Sequence, residues 1–141
     1  MSFQQNQEVI RRVIEEGFNK GNYAALDSLF ASDYQEHQFG LQKTLDGFKR
    51  DIQYLRTAFP DLHLTIDDMA ADGDKVWIRM TAHGTNKGPL MGPPTGKAMA
   101  ITVIDECRFE NGKIVEHWGV PDRFALMAQL GLLPQPSEQK S

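Results

Sequence analysis

The sequence predicts an α+β protein, a curved and mainly antiparallel sheet with helices packed on one face. Three observations carry that expectation. Apolar residues recur at helical spacing up to Phe59, the period changes to two after Pro60, and one short helical pattern returns after Pro121. The 141 residues, 40% of them hydrophobic, suffice for one core, so residues 1–141 are read as a single domain.

The elements follow in order. Between Gln4 and Asn19, the residues Val9, Ile10, Val13, Ile14 and Phe18 share a helical face, and Gly21 stands where a C-cap glycine belongs. Asn22 can cap a second, short helix with Tyr23, Leu26, Leu29 and Phe30 on its apolar side. A third helix is expected from about Leu45 to Phe59, stopped by Pro60. Leu62, Leu64 and Ile66 then alternate with His63, Thr65 and Asp67, which makes a strand with one wet face. Asp72-Gly73 signals a turn, and Val76, Ile78, Met80 and Ala82 alternate with polar or bulky partners through His83. A Gly- and Pro-rich connection from Gly84 to Lys97 precedes another strand between about Met99 and Phe109. Asn111-Gly112 marks a tight hairpin into Lys113 to Trp118. Residues 135–141 are polar and expected to form a mobile tail.

Composition narrows the function. A net charge of −4 with 15 scattered basic residues argues against nucleic acid. No apolar run approaches the roughly 20 residues that span a bilayer. The N-terminus lacks a charged segment followed by an apolar one, so no signal peptide is expected. Cys107 is the single cysteine, which excludes an intrachain disulfide and fits a reducing cytoplasm, and its strand position suits a small buried hydrophobe. His37, His63, His83 and His117 lie far apart and show no metal-ligand spacing. No glycine-rich nucleotide loop and no GxSxG elbow is present, so the chemistry expected is acid–base, with no cofactor and no metal.

The segment Glu116 to Gly131 holds the leading candidate. Asp122 stands between an aromatic-bearing strand and the short amphipathic helix from Arg123 to Leu130. Such an acid can have its pKa raised for general acid–base work, or can simply cap the helix. A two-residue turn at Asn111-Gly112 would set Glu110 against Lys113, Arg108 against Val115 and Glu106 against His117. One face would then collect Glu106, Arg108 and His117, either as a cavity-lining polar set or as a solvated cross-strand ion pair. A slip of one residue would bring Asp105 and Trp118 forward instead.

Several pieces, in order, resemble the SnoaL-like polyketide cyclase (ester cyclase) family of the NTF2-like superfamily. They are AFPDL at Ala58 to Leu62, GDKVWIRM at Gly73 to Met80, and GT at Gly84-Thr85. GPPTGK at Gly92 to Lys97, NGKIVEHW at Asn111 to Trp118, and Asp122 followed by QLG at Gln129 to Gly131 complete the set, which spans about residues 8 to 131. The resemblance implies a cone-shaped sheet wrapped on helices around a pocket. It also implies a cofactor-free cyclase in which the acid after the final strand, here Asp122, is the acid/base of an intramolecular aldol closure. Arg108 and Glu106 would polarise or orient, and His37, His83, His117 and Trp118 would line the pocket. The family places a histidine on the preceding strand where this chain has Glu106 and Arg108, and Asn86 replaces a histidine common among relatives.

The expected ligand is a small apolar carbonyl compound or ester. Epoxide hydrolysis or isomerisation in the same pocket, and non-catalytic binding of an apolar ligand or a partner protein, are the alternatives. Relatives of this kind commonly pair through the convex sheet face, so a homo-oligomer is expected. The loop from Gly84 to Gly96 is expected to be ordered, either at the pocket rim or at a subunit contact, because Pro89, Pro93 and Pro94 lower the cost of holding it.

Overall fold

A computed structural model of the protein describes residues 3–134. Helix α1 (Phe3–Arg12) runs directly into a π-wound turn at Val13–Asn19. Gly21, at φ 70°, ends it in the left-handed conformation that glycine takes without steric cost. Two side chains seat this segment. Asn19 pairs with the backbone of Leu64, donating to its carbonyl at 3.0 Å and accepting from its amide at 2.7 Å. The Arg56 Nη1 donates to the carbonyls of Phe18 and Asn19 at 2.7 and 3.0 Å.

The expected second helix is a 3-10 turn at Tyr23–Ser28, and Phe30 already belongs to a strand, β1 (Phe30–Glu36), that periodicity did not reveal. Helix α2 (Leu45–Ala58) is capped by Thr44, whose Oγ1 accepts from Gly47 N at 3.1 Å. Strands β2 (His63–Asp72), β3 (Lys75–Thr85), β4 (Ala98–Glu110) and β5 (Lys113–Pro121) follow, and α3 (Arg123–Gln129) comes last. The sheet order is β1-β5-β4-β3-β2, antiparallel except for β1 beside β5. It curves around one core in which Ile14, Leu26, Phe48, Ile52, Phe59 and Met80 are buried. No helix among the described residues is long and apolar enough to cross a membrane. The expected tail at 135–141 lies outside the described residues.

The last hairpin decides the site. Asn111 and Gly112 both have positive φ, 52° and 76°, and Glu110 pairs with Lys113 as a two-residue turn requires. The register then shifts between Arg108 and Phe109. Phe109 faces Ile114, but Arg108 faces Glu116, so Val115 is the extra residue of a β-bulge. Ile114 and Val115 are both buried in consequence. Beyond the bulge Cys107 faces His117, Glu106 faces Trp118 and Asp105 faces Gly119. The pairing of Glu106 with His117 and of Arg108 with Val115, expected from strict alternation, is therefore corrected. His117 changes face and joins Cys107 and Asp105 inside.

Candidate functional site

Helix α2, the sheet and α3 enclose a cavity of about 620 Å³. Phe48, Ile52 and Leu55 of α2 form one wall, and Leu64, Met80, Ala82, Ile101 and Val103 of the sheet form the other. Leu90 and Met91 of the long β3–β4 connection also reach it. That connection is pinned by Asn86, which is wholly buried. Its Nδ2 donates to Gly88 O at 2.7 Å, and its Oδ1 accepts from the amide and hydroxyl of Thr95 at 2.9 and 3.0 Å. A buried amide with its oxygen and its Nδ2 both bonded is a staple. The exposed lining residues Gly40, Tyr54, Met91 and Arg123 mark the mouth.

The closed end is polar. His117 on β5 points its Nε2 at Asp105 Oδ2 on β4, 3.1 Å away, and its Nδ1 at Glu36 Oε2 on β1, 2.6 Å away. Glu36, 2% exposed, also accepts from Gln38 N at 2.9 Å and from the Tyr34 hydroxyl. Asp105 and His117 line the cavity, whereas Glu36 and Tyr34 support His117 from behind. Asp105 Oδ1 is buried without a hydrogen-bond partner, so this carboxylate keeps acceptor capacity that nothing in the fold uses.

The electrostatics favour an imidazolium. Burial pushes the His117 pKa down, but hydrogen bonds and charge from Asp105 and Glu36 outweigh it and hold the ring up at about 10. Burial pushes Glu36 up, yet His117, the Tyr34 hydroxyl and the Gln38 amide together hold it below the usual carboxylate range. Both ring nitrogens are thus donors to carboxylates. Among the described residues no group of three or more His, Cys, Asp or Glu side chains is placed to hold a metal ion.

The residues singled out from sequence divide. His117 lines the cavity. Asp122 does not; it is exposed and caps α3, its Oδ1 accepting from Ala125 N at 2.9 Å. Its neighbours Pro121 and Arg123 do reach the cavity. Glu106 and Arg108 lie on the opposite face of β4, because its odd-numbered residues, from Met99 to Phe109, face inward. There Arg108 binds Glu116 and Glu110, each at 2.6 Å, and Lys75 approaches Glu106 at 4.0 Å. His37 and Trp118 are also outside the cavity, stacked at 4.7 Å between ring centroids, with His37 Nε2 2.8 Å from Glu116. His83 is exposed and sits across from His63 and Ala100. Cys107 is buried, and burial, with the nearby carboxylates, pushes its thiol well above the ordinary range, so it is no nucleophile.

Glu36 is the residue that sequence reasoning missed, and Asp105 entered it only as the alternative that a one-residue slip would bring forward. Asp105 carried a signal: Met99, Ile101, Val103, Cys107 and Phe109 form an apolar odd-numbered row in which it is the single acid. Glu36 carried none, since the strand holding it was not foreseen.

A small α+β protein whose open, curved sheet and helices surround an apolar cavity with a buried acid–imidazole pair belongs to the NTF2-like, ketosteroid isomerase-like folds. More narrowly, the chain belongs to the SnoaL-like polyketide cyclase family, whose model matches residues 8–130. Among solved structures it is similar to TsrD from Streptomyces laurentii, with 28% identity over 94% of this chain and 99% of that one and a TM-score of 0.86. IdmH, a proposed polyketide cyclase from Streptomyces antibioticus, is 33% identical over 90% of this chain and 99% of its own, with a TM-score of 0.81. AclR, a proposed hydroxylase from Streptomyces galilaeus, is 26% identical over 99% of this chain and 93% of its own, with a TM-score of 0.85. A comparison with curated proteins found no match.

Proposed function

We propose that this protein is a cofactor-free acid–base catalyst of the cyclase type, acting on an apolar carbonyl compound or ester, and that Asp105 is its base. One observation carries the proposal: Asp105, paired with an imidazolium and with one buried oxygen left unbonded, lies at the end of a largely apolar cavity of about 620 Å³. Asp105 removes a proton from the carbon beside a carbonyl, and the C–H electron pair becomes an enolate. The enolate carbon attacks a second carbonyl of the same molecule, forming the C–C bond, and the resulting alkoxide recovers the proton from Asp105. His117 keeps its charge throughout and holds Asp105 ready to accept. Glu36 and Tyr34 fix the ring. An apolar, water-poor site strengthens each of these electrostatic interactions.

The test is wash-out of α-protons from 1-tetralone, a neutral apolar ketone, in D2O followed by proton NMR. The protein should accelerate exchange, and Asp105→Asn should remove about 10²–10⁴-fold of that acceleration. Binding of the ketone without any exchange would instead make the protein a binder.

A second reading, hydrolysis, is favoured by one feature. A void of about 30 Å³ beside Asp105, His117 and Cys107 has room for one water. A water there could be activated by Asp105 against an epoxide or ester. Incorporation of ¹⁸O from labelled water into product separates hydrolysis, which requires it, from aldol closure.

A further inference from the structure

The cavity has one cation at its mouth, and the fold holds it there without neutralising it. Arg123, the first residue of α3, lines the cavity and is exposed. Its Nη2 donates to Phe39 O at 2.6 Å, and its Cζ lies 5.8 Å from the centre of the Phe39 ring. A Cβ on Gly40, which has φ +88°, would come within 3.1 Å of Nη2 and 3.4 Å of Nη1, so the guanidinium rests against bare backbone. No carboxylate among the described residues forms an ion pair with Arg123, although Arg11 and Arg79 each have one and Arg108 has three. Asp51 also lines the cavity, and its Oδ2 accepts from Gln42 N at 2.9 Å. A guanidinium has five N–H donors in a planar fork, and the contacts named here use one.

We propose that Arg123 is a substrate-recognition residue, and that the ligand is an amphipathic acid whose carboxylate docks on this guanidinium while its apolar body fills the cavity toward Asp105. The proposal rests on the site assigned above and names the substrate class that the site takes. A neutral ester offers the same apolar body but no anion for the fork. The interaction is charge-assisted, and the planar fork of an arginine can meet both oxygens of a carboxylate at once. The hydrogen bond to Phe39 O and the close approach of the Gly40 backbone hold one edge of the fork in place, so the anion meets a donor already partly positioned.

The test is binding of 2-naphthylacetate and its methyl ester at neutral pH, measured by calorimetry. It is run on the wild type and on an Asp105→Asn background that cannot turn over. The acid should bind at least 10-fold more tightly than the ester. Arg123→Gln should erase that preference by weakening the acid alone, and Arg123→Lys, which keeps the charge without the fork, should retain part of it. Equal binding of acid and ester, or an Arg123→Gln variant that weakens both alike, would overturn the proposal. The 1-tetralone assay uses a neutral ketone and does not engage Arg123. Failure of that assay therefore strikes the assignment of Asp105, and failure here strikes Arg123.

Discussion

Asp105 and His117 lie on neighbouring strands but are not direct partners: Asp105 faces Gly119 and His117 faces Cys107, and the two side chains meet diagonally at 3.1 Å. The contact exists because of the Val115 bulge. Without it His117 would share a face with Glu106 and Arg108, and the inner face would carry Glu116 and Trp118 in its place. One extra residue thus converts a surface histidine into a buried one and gives the cavity its acid–base pair.

Gly119 is the position where that geometry is most easily disturbed. A Cβ there would lie 2.2 Å from Gln38 Oε1 and 2.6 Å from Asp105 Oδ1. Gly119→Ala is expected to displace both side chains, lowering exchange activity at least 10-fold while circular dichroism stays unchanged. Unchanged activity would show that the position of Asp105 is not critical.

The buried His117 sets a pH dependence of stability. Its pKa rises from 6.5 to about 10 on folding. The stabilisation is therefore fully present below pH 6.5 and is lost as pH climbs through about 10. Over that window the folded protein binds more protons than the unfolded chain, and stability should fall by up to about 1.4 kcal/mol per pH unit. Glu36, whose pKa is lowered, works at the other end, contributing above its ordinary range and losing that contribution in acid. Urea titrations across pH 6 to 10 should show the alkaline decline in the wild type and lose most of it in His117→Gln.

Tyr34→Phe tests the support behind the histidine. The hydroxyl is buried against Glu36, and burial beside that carboxylate pushes its pKa far above the ordinary range, so it acts as a donor only. Removing it leaves a buried carboxylate oxygen short of a partner, at a cost of about 1–3 kcal/mol. Denaturant unfolding should report that loss, while α-proton exchange falls by much less than in Asp105→Asn. An equal loss of exchange would make Tyr34 part of the chemistry.

Much of the fold was legible because burial writes a period into the chain. The α1 and α2 faces, the alternation in β2 and β3, the Pro60 stop and the Asn111-Gly112 turn all follow from local rules that the tertiary structure respects. Strand β1 was not legible, since FASDYQE buries only Phe30, Tyr34 and Glu36 and takes its pairing from β5, far along the chain. The bulge was hidden for a related reason. Nothing near Val115 announces an extra residue, and the shift is imposed by what the core needs to bury on both sides of it. The candidate site suffered accordingly: His117 was identified, but its partners were assigned from the wrong face.

Asp122 and Asp105 can be separated by one paired measurement. Asn is nearly as good an N-cap as Asp, so Asp122→Asn should change stability by less than about 1 kcal/mol. Its α-proton exchange on 1-tetralone should stay within a few-fold of the wild type, whereas Asp105→Asn should lose about 10²–10⁴-fold. The opposite pattern, with exchange abolished in Asp122→Asn and retained in Asp105→Asn, would contradict the assignment of the buried Asp105–His117 pair as the catalytic centre.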